Sequence, residues 1–287
     1  MITIKNYGTK ILAIFCFLII VFFHSLSFSQ NKPKVKGSKN VTKEFTTLKN
    51  LVDLETEDNL IIDLIKGSEN KIEIETDDNL HEFITVESFG NKVRLYTSKN
   101  ITQYKELKIT VFYTDSLKTI TAKHESAIQA FQELNTESIV ITNQDFSKSF
   151  LNIKAKKVKL IAGDKSKVEA NIKAPEIYIQ SKQNSQIKTL VKAEKLELSV
   201  LDKSKLMIEG DVKNSNIRVA GNGELIAKNL INTETFLIAE NHANVSVFAS
   251  DIFGLKAKNN AEIHLYGAPK IFIEEFLNKT ILHKEEK

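Results

Sequence analysis

Residues 163–168 read GDKSKV, and residues 201–206 read LDKSKL. Midway between them, residues 182–187 read KQNSQI. Aligned on the last residue of each, the three stretches give Val168, Ile187 and Leu206, in steps of 19 and 19. The series continues through Leu225, Val245 and Ile263, with steps of 19, 20 and 18. Eight residues ahead of each anchor stands another aliphatic: Leu160, Ile179, Leu198, Ile217, Leu237 and Leu255, preceded by Ile141 and Ile120. Six residues ahead the chain carries Ala162, Ser181, Val200, Val219, Ala239 and Ala257. Two residues ahead the side chain is always small: Ser166, Ser185, Ser204, Gly223, Ala243 and Ala261, with Ser126 before Ile128 upstream.

Apolar residues spaced by two fit strands, and helix spacing at i, i+3 and i+4 fails. Each unit therefore holds two short strands facing one interior, with a turn between them. An antiparallel sandwich would join such strands by hairpins, with Asn-Gly or Asp-Gly turns. A solenoid instead stacks each unit on the one before it, like on like. The small column, and the polar column Lys165, Asn184, Lys203, Asn222, His242 and Asn260 beside it, favour the solenoid. The pattern predicts an all-β fold, a parallel β-helix or β-solenoid of about 19 residues per coil. Eight units are visible, the second looser around DFSKSFL (145–151). DKSK recurs because it is a corner, where Asp or Asn tolerates a left-handed backbone without Gly. Eight coils at about 4.8 Å per rung make a rod of roughly 38 Å. KIFIEEF (270–276) and NKTILHKEEK after it promise a charged last rung, which discourages end-to-end pairing.

Composition is that of a globular chain: 287 residues, 42% hydrophobic and 26% charged, with no Trp. Residues 1–29 read as a signal peptide: basic Lys5 and Lys10, a 13-residue apolar run (11–23), then Ser27-Phe28-Ser29. Such a run is too short to span a hydrocarbon core of roughly 30 Å. Cys16, the only cysteine, lies in that run, and Ile14 and Phe15 before it do not suit lipidation. The mature chain then has no disulfide or thiolate chemistry and no transmembrane segment. Its charge is close to balanced and its arginines are Arg94 and Arg218 alone, so no nucleic-acid partner is expected.

Residues 30–117 alternate as strands in KIEIET (71–76), FITVES (83–88), KVRLYT (92–97) and ELKITVFYT (106–114), without the regular beat of the later units. They read as an irregular β-rich N-terminal part that caps the solenoid of residues 118–287. The Lys-rich NKPKVKGSKNVTKEF (31–45) reads as loose. The run KGSENKIEIETDDNLHEFITVESFGNKVRLYT (66–97) resembles the head GIN domain, described as a "putative auto-transporter adhesin" head and common in secreted Bacteroidetes proteins. The resemblance rests on Gly67, Ile72, Ile74, Asp77 to Leu80, Ile84, Val86, Gly90, Val93 and Leu95, and on NNAEIHLYGAPK (259–270) at the other end. It covers roughly residues 45–272 and implies the fold and export, with no reaction attached to it. The chain departs from the family in its Lys, Asp and Asn corners, and in lacking a Gly within FTTLKNLVDLETED (45–58).

Parallel β-helices also serve as polysaccharide lyases and hydrolases, which need carboxylates converging from neighbouring coils. Asp164 and Asp202 share a column two coils apart, about 9.6 Å at the rung spacing, close to an inverting pair. Lys165 and Lys203 flank them, however, and Gln183 and Asn241 fill the same column, so they read as corner residues. His24, His81, His124, His242, His264 and His283 form no H-E-x-x-H and no close pair. Glu55, Glu57, Asp58, Asp77 and Asp78 read as solvated turns. Tyr96, Tyr104, Tyr113, Tyr178 and Tyr266 could stack on sugars, although strands favour Tyr in any case. No catalytic, cofactor-binding or metal residue is assigned, and no cofactor is implied. The expectation is an exported, non-catalytic, adhesin-like binding or scaffold protein of the periplasm, cell surface or exterior, with a glycan or a protein as partner. The alternative is a carbohydrate-active β-helix enzyme.

Overall fold

The computed structural model describes residues 32–286, so the signal segment 1–29 lies outside the described residues. The described chain is strand almost throughout, with one 3-10 helix at Asp78–Phe83. It is a β-solenoid of about nine turns whose parallel partners lie roughly 19 residues apart, as the repeat predicts.

The register reproduces the sequence columns. Val168 pairs with Ile187, Ile187 with Leu206, Leu206 with Leu225, Leu225 with Val245 and Val245 with Ile263. On the opposite face Leu160 pairs with Ile179, Ile179 with Leu198 and Leu198 with Ile217. All of these side chains are buried in one continuous core. Inward positions every second residue, on two faces joined by corners, bury the apolar stripe of every coil against the next.

The corner beside the small column is a tight turn. In residues 163–166 the Ser166 N–H donates to the Gly163 carbonyl at 2.9 Å, with Asp164 and Lys165 at φ 49° and 62°. Two consecutive left-handed residues closed by that bond follow the type I′ pattern. His124-Glu125, Asp145-Phe146 and Gln183-Asn184 repeat the same pair of left-handed residues. Left-handed non-Gly residues cost roughly 1 kcal/mol or more each. Stacking offsets that cost, because the Lys165 N–H donates across to the Gln183 carbonyl at 3.1 Å and the Phe146 N–H to that of Asp164 at 3.0 Å.

The small column does more than save space. Ser166 Oγ donates to the Asn143 carbonyl at 3.1 Å, Ser185 Oγ to Ala162 at 3.0 Å and Ser204 Oγ to Ser181 at 2.8 Å. Each buried hydroxyl thus ties its corner to the preceding coil. Further along, Gly223 takes the place, where a Cβ would stand 2.8 Å from the Val200 carbonyl oxygen.

The parallel stack reaches further toward the N-terminus than the regular beat does. Asp53–Thr56 pairs in parallel with both Lys92–Thr97 and Thr119–Ala122. Ile61–Lys66 pairs likewise with Leu107–Tyr113 and Ala127–Asn135. The rung formed later in the chain therefore lies outside the earlier one, which hides the period. Antiparallel strands cover that end: Ile84–Phe89 on one face, Lys71–Asp77 and then Val41–Thr47 on the other.

Two expectations are corrected at this end. The Lys-rich arm is ordered in strands Lys34–Lys36 and Val41–Thr47, because Asp77 gathers it in. The Asp77 carboxylate accepts the N–H groups of Lys39 at 2.8 Å, Lys105 at 3.0 Å and Glu106 at 3.2 Å. Burial pushes its pKa up, but these three donors hold it below the ordinary Asp value. Nor are Glu55 and Glu57 solvated turn residues; both are buried in an ionic cluster. Glu55 meets Lys92 at 2.8 Å and Lys123 at 3.1 Å, and Arg94 forks onto Glu57 at 2.7 and 3.2 Å. Burial pushes the Glu55 carboxyl up, yet Lys92 and Lys123 bring it down to about 2.

At the far end the charged last rung is only half realised. Ile271 and Ile273 continue the inward columns of Phe253 and Leu255, yet stand 42% and 51% exposed. Among the described residues no further coil covers them, and the charges of HKEE lie on the other face.

Candidate binding face

The coil from Ile120 to Ile141 is longer by two than the next one, from Ile141 to Leu160. The excess sits in the strand Ala127–Asn135, where the register breaks between Ala130 and Leu134. A bulge of this kind re-aims a side chain. Here it lifts Phe131 off the ladder to 71% exposure, held by a bond from Asn152 Nδ2 to the Phe131 carbonyl at 3.0 Å.

Phe131 rims a groove of about 280 Å³ running across five successive coils, from its own to that of Met207. Its outward columns are set by register: Phe150, Glu169, Lys188 and Met207 in one, Asn152, Asn171, Leu190 and Glu209 in the next. Phe150 and Leu190 are exposed large hydrophobics like Phe131. Asn171 Nδ2 donates to Asn152 Oδ1 at 2.8 Å, an amide ladder along the floor. The groove thus combines separated apolar contacts with amides, two carboxylates and one ammonium. The looseness of the repeat at DFSKSFL was the one sequence signal for it.

The residues singled out by sequence fall elsewhere. Asp164 and Asp202 lie at stacked corners in a shallow open trough with Asp145, Lys165, Gln183 and Lys203. Gln183 stands on the coil between them, and its N–H donates to Asp202 Oδ2 at 3.3 Å, which is turn bonding. A larger groove, about 720 Å³, lies at the arm, lined by Lys32, Asp58, Tyr104, His124 and Asp145 among others. Its Asp58 is already engaged by Lys32 Nζ at 2.6 Å and the Thr97 N–H at 2.8 Å. The tyrosines are not brought together: Tyr113 is buried, Tyr96 bonds Glu87, and Tyr178 lies under Lys159 on the opposite sheet. The histidines correct the expectation that none is paired. His264 and His283, one coil apart in sequence, stack with ring centroids 4.8 Å apart.

Register and burial together define a parallel β-solenoid. The family described as "putative auto-transporter adhesin, head GIN domain" matches residues 52–269, and the chain belongs to it. Among solved structures, a "putative adhesin" from Parabacteroides distasonis is similar over 88% of this chain and 100% of its own, at 13% identity and TM-score 0.66. A second, from Parabacteroides merdae, covers 89% and 99% at 14% identity and TM-score 0.60. A "putative lipid binding protein" from Parabacteroides distasonis covers 86% and 99% at 16% identity and TM-score 0.56. These identities establish likeness of fold. No curated protein matches the sequence. Among the described residues no helix is long and apolar enough to cross a membrane.

Proposed function

We propose that this is an exported, non-catalytic binding protein of the periplasm or cell surface, which holds an extended ligand in the Phe131 groove. The observation that carries the reading is the bulge that sets Phe131 beside exposed Phe150 and Leu190. An aromatic face with amide and carboxylate neighbours suits a glycan chain, whose rings stack while its hydroxyls bond. A lipid is less well served, because Asn152, Asn171, Glu169 and Lys188 break up the apolar surface. Family membership and the adhesin-like neighbours support export and binding. The enzyme alternative has less support, since the Asp202 carboxylate accepts the Gln183 N–H and the coil between Asp164 and Asp202 sets Gln183, not a carboxylate, in their column.

The test is a glycan array probed with the purified chain, run beside a reducing-end assay on the same polysaccharides. Saturable binding without turnover is expected, weakened at least about tenfold by Phe131→Ser or Leu190→Ser, the order expected for a lost aromatic or aliphatic anchor. Release of reducing ends that disappears in Asp164→Asn or Asp202→Asn would establish the enzyme instead. Binding indifferent to both groove variants would move the site elsewhere.

A further inference from the structure

Stacking places like columns together, and at the last two rungs it gathers a donor set. His264, in Glu262–Tyr266, and His283, in Ile281–Lys284, are register partners with rings 17° from parallel. Nε2 of each lies 3.4 Å from one atom, Glu262 Oε1. That is longer than an ordinary N–H···O bond of about 2.7–3.2 Å. It matches the edge of a tetrahedral zinc site, where bonds of about 2.0–2.1 Å hold ligand atoms about 3.4 Å apart.

The second sphere fits as well. Glu285 Oε1 lies 2.6 Å from His264 Nδ1. In the neutral ring this carboxylate takes the Nδ1 proton's bond, leaving the Nε2 lone pair turned toward Glu262. The three candidate ligand atoms lie within 4.8 Å of one another, so a small closure of the His283 ring completes the set. All three side chains are partly exposed, which gives an ion access. Two carboxylates, Glu262 and Glu285, flank the imidazoles, and the nearby Lys284 ammonium bonds the Glu285 backbone carbonyl.

We propose that Glu262, His264 and His283 bind a divalent transition-metal ion of the zinc type, with Glu285 orienting His264 and a fourth position open to solvent. The ion would bridge Glu262–Tyr266 and Ile281–Lys284 and clamp the second strand onto the first. Imidazole ligands select zinc or copper over magnesium. The site lies on the same outward column as Phe150 and Met207 but several coils away, and it stands independently of any ligand in the groove.

The experiment is Zn²⁺ titration of tag-free protein against a chromogenic chelator, with amide exchange followed in parallel. One equivalent should bind, and Mg²⁺ should not compete. Glu262→Gln and His283→Asn should each weaken binding by at least about tenfold, and Glu285→Gln by about 10–100-fold as an outer-sphere partner. Zn²⁺ should slow exchange in Ile281–Lys284 and leave Lys148–Lys154 unchanged. Absence of saturable binding, or affinity unaltered in the Glu262→Gln/His283→Asn double variant, would overturn the proposal. If His283→Asn frays the strand, Cu²⁺ spin resonance of the unaltered protein decides: coupling to two imidazole nitrogens supports the site, and coupling to one or none sinks it.

Discussion

Arg94→Met removes the one guanidinium that serves the buried acids at the N-terminal end. Arg94 forks onto Glu57 through Nη2 at 2.7 Å and Nε at 3.2 Å, and reaches Glu55 at 3.6 Å. Both glutamates are less than a tenth exposed. Glu55 keeps Lys92 and Lys123, whereas Glu57 is left with Lys123 at 4.0 Å and His124 at 3.8 Å. Breaking a fully buried pair by deleting one partner costs about 3–5 kcal/mol, but Arg94 is 36% exposed and Lys123 survives, so screening lowers the cost here to about 1–3 kcal/mol. The loss should come from the uncompensated charge and not from the missing contact, so Arg94→Met/Glu57→Leu should recover most of it. Because solenoid ends can melt before the middle, the readout should be local. Amide exchange in Asp53–Thr56, beside urea unfolding followed by far-UV circular dichroism, gives both scales. A change below about 0.5 kcal/mol at pH 7, the size of an exposed pair, would refute the reasoning. So would a double variant no better than the single one.

Glu55 predicts an acid limb. Its carboxyl is lowered to about 2 from an unfolded value near 4.3, so its contribution of roughly 3 kcal/mol is full above about pH 4.5 and is lost as pH falls toward 2; urea midpoints across that window should show it, and Lys92→Met should flatten it. Ser185→Ala should cost about 1–3 kcal/mol, because the Lys182 N–H and the Ser181 hydroxyl lose a buried partner along with the bond to Ala162, measurable by thermal unfolding. Gly210→Ala should cost roughly 3 kcal/mol or more in the same assay, since Gly210 sits at φ 118° with the Val191 carbonyl oxygen 1.9 Å from a built Cβ.

The stacked part of the fold was legible because a coil of constant length writes each column into the sequence at a constant interval. The anchors from Val168 to Ile263 are register partners for that reason. At the N-terminal end chain order and stacking order part company. Asp53–Thr56 lies between Lys92–Thr97 and Thr119–Ala122, so both its partners come from later in the chain, at unequal distances, and no local period survives. Buried Glu55 and Glu57 read as solvated because acid-rich stretches look so until their bases, from Lys92, Arg94 and Lys123, arrive by long-range pairing. The His264–His283 stack was in fact readable: their separation is one coil, and the rule that aligned the aliphatic columns applies equally to polar ones.

In a stacked fold a regular coil keeps the backbone surface of its neighbour, so a groove of this kind has to come from a departure in the period. The two extra residues of the coil holding Phe131 are such a departure, and removing them separates site from scaffold. Deleting Gln132 and Glu133 makes the step from Ile128 to Ser149 equal to the next one, from Ser149 to Val168. An even deletion preserves the alternation, so Leu134 still points inward opposite Ile153 and no buried side chain changes face. The stack should therefore hold, with circular dichroism unchanged and unfolding within about 1 kcal/mol of the parent, the typical effect of a single tolerated change. Phe131 would return to the ladder, and glycan binding in the groove should fall as far as in Phe131→Ser. A deletion variant that folds and still binds fully would show that the bulge positions nothing, and the ligand would then have to be sought along the regular coils.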